Sequence, residues 1–260
     1  MTLLPGLNYG TYKTQIAQMA VVSPADANFL AILPSMIDYA ELRILRDLDL
    51  MFTSVAKYGA NFKLTAGNRN ISFPQFDATD GTSFVVSEQI NMLTPAGSTD
   101  PQASTRSPLI PTTKEFLDAV YGSSTSANRA QPQYFAPFNE TLFFVGPVPD
   151  ATYYVEVIGT VRPASLTWAA SPDGGNLGDA ATTFISQYLP DLFIMASMIY
   201  ISAYQRNFGR QSDDPQMAVS YESQYQALLR SAGTEEARKK YEGAAWSSQS
   251  PAQSATPTRG

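Results

Sequence analysis

From Asn28 to Leu50 the apolar positions Leu30, Leu33, Ile37, Ile44 and Leu48 recur at three, four, seven and four residues. This is the stripe of an amphipathic helix with one side on a core. The opposite face carries Glu41, Arg43, Arg46, Asp47 and Asp49, and Pro34 suits the first turn. An earlier stretch, Thr11 to Val21, predicts a shorter helix with Tyr12, Ile16 and Met19 inward.

Between Tyr58 and Trp168 the pattern changes to short runs of β-branched and aromatic residues, bounded by Gly, Pro, Asn and Asp. Strands are predicted at Asn70 to Phe76, Ser83 to Gln89, Gln133 to Phe138, Thr141 to Val145 and Tyr153 to Arg162, with turns at Asp80-Gly81 and Pro149-Asp150. The Ser/Thr/Pro-rich stretch Thr94 to Pro108 reads as a long exposed loop, and Thr113 to Tyr121 as a helical turn or two. Helical pattern returns at Thr182 to Tyr188. Pro190-Asp191 then opens an almost wholly apolar helix running to about Phe208. Asp214-Pro215 starts the next, with Met217, Tyr221, Tyr225 and Leu228 on one face and Gly233 as its stop. A final short helix, Thr234 to Glu242, carries the pairs Glu235 with Lys239 and Glu236 with Lys240.

Neither helical part has enough partners alone. The expected architecture is therefore α+β: a helical bundle built from the N- and C-terminal helices, with an inserted antiparallel β-rich domain. The boundaries are 1–57 for the first helices, 58–168 for the insertion, 169–242 for the last helices and 243–260 for a Ser/Ala/Gln/Pro tail that cannot make a core and should be disordered in the isolated chain.

Composition narrows the chemistry. In 260 residues there is no histidine and no cysteine, which excludes Ser-His-Asp and Cys-His catalysis, His/Cys zinc sites, disulfides and haem ligation. A net charge of −6 argues against tight phosphate binding through a broad cationic face. The most apolar run, Leu192 to Tyr204, is too short for a bilayer, and no basic-then-apolar leader opens the chain, so no membrane association is expected.

Local motifs add little. FDATDGTS, with Asp77, Asp80 and Gly81, lacks the alternate ligands of a calcium loop and reads as a turn. SPDGGNLGD, with Gly174, Gly175 and Gly178, lacks the strand and Lys-Ser/Thr of a phosphate loop. Glu140, Asp150 and Glu156 offer a paired-carboxylate set only if the fold converges them. Phe84, Phe135, Phe138, Phe143, Phe144, Tyr153 and Tyr154 have no interleaved Lys or Arg, so core and subunit packing fits them better than base stacking. No catalytic, cofactor or metal site is expected.

AELRILRDLDL at Ala40 to Leu50, VGPVPDATYYVEVIGTVRPASL at Val145 to Leu166, YLPDLFIMASMIYISAYQRNF at Tyr188 to Phe208 and YESQYQALL at Tyr221 to Leu229 resemble the head-to-tail adaptor, or connector, proteins of tailed bacteriophages. The resemblance implies a non-enzymatic structural virion protein at the head-tail junction, made in the host cytoplasm. It would be a homo-oligomeric ring, usually dodecameric, beneath the portal protein, passing double-stranded DNA without sequence-specific binding and offering a platform to a tail or nozzle protein. On this resemblance and on position, Arg43, Arg46 and Asp47, with Asp191 as partner, are expected at helix or subunit contacts. Trp246, the one large apolar residue of the tail, is expected to anchor a portal-binding arm. The alternatives are another tail component, a nozzle or tube subunit, and a carbohydrate-binding β-module with helical flanks.

Overall fold

Asn8 starts the first helix. Its side chain accepts the Thr11 amide at 2.8 Å while the Thr11 hydroxyl accepts the Asn8 amide at 2.9 Å, a reciprocal cap that opens α1 (Tyr9–Met19). The computed structural model describes residues 6–74, 76–139, 141–174, 177–207 and 215–247. Tyr12, Ile16 and Ala17 of α1 are buried, whereas Met19, expected inward, is exposed, and its neighbour Ala20 takes the buried place. Asp26 caps the Asn28 and Phe29 amides, both at 2.9 Å, and opens α2 (Ala27–Asp47). Pro34 lies inside this helix and not in its first turn. The carbonyl that its missing N–H leaves without a helical partner belongs to Leu30, which is half-exposed, while Phe29 takes the buried place expected for Leu30.

Two units follow from the contacts: a helical one, from residues up to Met51 and from Ser165 onward, and a β-rich one, Phe52–Ala164. In the second, β1 (Ser54–Lys57), β2 (Lys63–Leu64), β3 (Asn70–Ser72), β4 (Phe76–Asp77), β5 (Thr82–Thr94), β6 (Thr105–Pro108) and β7 (Ile110–Pro111) precede α3 (Lys114–Val120), β8 (Tyr134–Pro137), β9 (Leu142–Gly146) and β10 (Tyr153–Arg162). One sheet runs β1-β10-β5-β4, with β2 also on β10 and β6 also on β5; the other runs β3-β9-β8-β7. All pairs are antiparallel except β7 with β8, which is parallel. Phe62, Phe73, Phe84, Ile90, Phe143 and Val157 belong to the core of this unit.

Three boundaries differ from expectation. Asn70 to Phe76 is not one strand: the chain breaks around Pro74, and β3 and β4 join different sheets. β5 extends to Thr94 through two bulges, where Val85 and Glu88 have no partner on β10 and the inward/outward alternation resets. Gly159 permits this, since a Cβ there would meet the Val86 carbonyl oxygen at 2.1 Å. The end of the expected loop Thr94 to Pro108 pairs with β5 as β6.

The chain then returns through α4 (Leu166–Ala170) and α5 (Phe184–Tyr188) to α6 (Pro190–Asn207) and α7 (Pro215–Ser247). α6 packs on both α2 and α7. Leu192, Phe193 and Ala196 are buried; the Tyr12 ring stacks on Phe193 at 4.5 Å and its hydroxyl lies 2.6 Å from Ser197 Oγ. α7 runs unbroken through Gly233, contrary to the expected stop, and continues as far as Ser247. The Thr234 hydroxyl satisfies the Arg230 carbonyl at 3.0 Å instead of capping a new helix. The expected capping residue Asp214 and residues 248–260 lie outside the described residues.

Candidate functional site

The ionic side of α2 meets α7. Arg43 donates from Nη2 to Glu222 Oε1 at 2.6 Å and from Nη1 to the Tyr39 hydroxyl at 3.3 Å, and its guanidinium lies 4.3 Å from the Tyr225 ring centre. The Tyr225 hydroxyl donates to Asp47 Oδ2 at 2.7 Å, and Arg43 Nε is 3.7 Å from the same oxygen. Burial alone would weaken the Arg43 charge, but the bonds to Glu222 and Tyr39 outweigh it and keep the group firmly protonated. Reciprocally, Arg43 holds the Glu222 carboxyl below its usual range. Tyr225 is pushed up, first by desolvation and then by its bond to Asp47. The seam is a forked ion pair with an aromatic floor, a geometry that arginine satisfies and lysine does not.

Of the expected contact residues, Arg43 and Asp47 are thus brought together within one chain. Arg46 points away, exposed and without an ion pair among the described residues. Asp191 does not join them: it is exposed, and its carboxylate accepts the Leu192 amide at 2.9 Å at the start of its own helix. Trp246 falls in the last turn of α7, and its side chain lies outside the described residues. Lys240 pairs with Asp49 and not with Glu236, while Lys239 takes both Glu235 and Glu236 at 2.7 Å.

Glu41 is placed wrongly by the sequence pattern. It lies on the buried side of α2, 5% exposed, with its carboxyl oxygens 3.1 and 3.2 Å from the Leu166 amide and 3.5 Å from the Thr183 hydroxyl. Burial pushes its pKa up to about 8, against the lowering effect of the Leu166 amide. The signal was available: the seven-residue gap between Ile37 and Ile44 is where the stripe passes through Ala40 and Glu41.

Elsewhere the motifs resolve into structure. Lys57 pairs with Asp80 and, at 3.7 Å, with Asp77, joining the two ends of the β1-β10-β5-β4 path. Among the described residues no group of acidic side chains is placed to hold a metal ion. Glu156 is committed to Arg106, at 2.8 and 3.3 Å, and to Asn91, while Asp150 accepts the Tyr153 hydroxyl; Glu140 lies outside the described residues, as do Gly175 and the side chain of Met217. Phe84, Phe135, Phe143 and Tyr153 are buried, but Phe138 is exposed against the edge of Phe144. Arg69 and Lys114, distant in sequence, flank Phe144 at 5.6 and 5.5 Å, and both are neutralised by Asp118. No helix among the described residues is long and apolar enough to cross a membrane.

The chain is thus a helical unit interrupted by a β-rich insertion, with Arg43, Asp47, Glu41 and Glu236 tied within the helical unit. The family model described as SU10 adaptor protein matches residues 7–253, through both units, and the chain belongs to that family of bacteriophage adaptors. A search of curated proteins finds no match.

Proposed function

We propose that this chain is a head-to-tail adaptor that assembles as a closed homo-oligomeric ring beneath the portal protein, extends the DNA channel and presents the attachment platform for a tail or nozzle protein. The match over residues 7–253 carries this reading, because it covers the helical and the β-rich parts together. The role is structural: the virion is its place of work and double-stranded DNA its transient passenger. The net charge of −6 supports passage without adhesion. Arg46, which the internal seam does not use, is the residue of the α2 ionic face available to a neighbouring subunit.

Mass photometry and electron microscopy of the purified chain, with and without its portal, test the reading. A closed ring, alone or on the portal, is expected. A monomer that ignores the portal and binds glycans would replace this reading with that of a carbohydrate-binding module.

A further inference from the structure

The chain passes between its two units twice, outward after Met51 and back before Ser165. Among the described residues the helical unit buries two ionisable carboxyl side chains, Glu41 and Glu236, each 5% exposed. Burying a carboxyl is costly unless it is hydrogen-bonded, so what each one bonds is informative. Glu236 Oε2 accepts the backbone amide of Met51 at 3.2 Å, the last residue before the outward passage. Glu41 accepts the backbone amide of Leu166, the second residue after the return. Two carboxyl groups from two helices thus perform the same task at the two passages, each taking the first backbone amide of the short helical turn that lies there.

We propose that Glu41 and Glu236 are a matched pair of clamps that hold the two passages of the chain on the helical unit, so that the tethers of the inserted unit are fastened and released from inside the helices. The two clamps are built differently. Glu236 is neutralised by Lys239 at 2.7 Å, and the adjoining Asp49 is tied to Lys240, so the outward clamp works as an ion pair. Glu41 pairs with no cation among the described residues: the groups facing it are Asp38 on its own helix, Tyr12 of α1, the Leu166 amide of α4 and the Thr183 hydroxyl ahead of α5. It holds its amide as an uncharged acid. Ionisation would place there a charge that no cation meets, and the Leu166 amide and Thr183 hydroxyl offset only part of its lost hydration, so the return clamp opens to let water in.

Amide exchange of the full-length protein, followed by mass spectrometry over residues 48–53 and 163–170, reads the two clamps separately. Glu41→Ala is expected to speed exchange in 163–170 by about tenfold or more, the factor set by orphaning one buried donor, with 48–53 unchanged; Glu236→Ala is expected to do the reverse. In the wild type, exchange in 163–170 corrected for intrinsic chemistry should rise from about pH 4.5 to about pH 8 and level off above it, and in Glu41→Gln, which keeps the carbonyl acceptor but cannot ionise, it should stay flat. The Gln variant tests the clamp even if the Ala variant fails to fold. Equal acceleration in both segments, no acceleration in either, or a pH dependence that survives in Glu41→Gln would overturn the proposal.

Discussion

Arg43 and Arg46 sit three residues apart on α2, and replacing each by alanine should give unlike results. Loss of Arg43 leaves Glu222 and Asp47 without their cation and Tyr225 without its stacked guanidinium, and should cost about 1 to 3 kcal/mol in chemical denaturation. Arg46→Ala should stay within about 0.5 kcal/mol in the monomer and show its effect, if the ring reading holds, only in assembly. Glu41 sets a pH dependence. Its folded pKa, raised to about 8 from 4.5, means that the folded chain holds a proton that the unfolded chain has released. The resulting stability is complete below about 4.5 and is lost as pH rises through about 8. Denaturation midpoints across that window should fall less steeply in Glu41→Gln than in the wild type, and identical slopes would argue against a buried acid. This residue shows why the candidate site was half legible: a glutamate in an arginine- and aspartate-rich helix reads as solvated, and only the three-dimensional return of Leu166 gives it a reason to be inside. The shared face of Arg43 and Asp47 is readable from their spacing on a helix; Glu222 and Tyr225, which they meet on α7, lie some 180 residues further on, and no local pattern pairs the two helices.

At the scale of elements, the strongly alternating run Tyr153 to Arg162 matches β10 residue for residue, and the apolar α6 begins at Pro190 as its sequence implies. The misses have local causes. Two bulges in β5 break the alternation on which strand reading depends. A single glycine costs a helix only about 1 kcal/mol, less than the packing that carries α7 past residue 233. Gly233 has open surroundings: a methyl group added there would meet Leu48 Cδ2 at 3.7 Å, an ordinary contact distance, so Gly233→Ala should stabilise the protein by about 0.5 to 1 kcal/mol. A thermal midpoint that falls in this variant would mean that the helix needs its glycine as a joint. Phe193→Ala, by contrast, removes the buried ring that Tyr12 stacks on and should cost about 3 to 5 kcal/mol by the same measurement.

For the whole molecule, truncation after Glu242 separates folding from assembly. The shortened chain should keep its denaturation midpoint, since the last ion pair of α7 among the described residues is at Lys240, but should no longer join capsids to tails if the C-terminal segment, with Trp246, engages the portal. Normal particle yield would make that segment dispensable. The inserted arrangement also has a consequence in time. The apolar side of α2 leaves the ribosome long before α6, its covering partner, which is complete only at Asn207. At roughly 5 to 20 residues per second, that side waits on the order of ten to thirty seconds for its cover. The β-rich unit, whose strands are contiguous in the chain, can close during that interval, and the helical unit must be sealed last, by the youngest part of the polypeptide. Nascent chains stalled before residue 190 should therefore carry a folded insertion beside a sticky, unfinished bundle, and would be the form on which a chaperone acts.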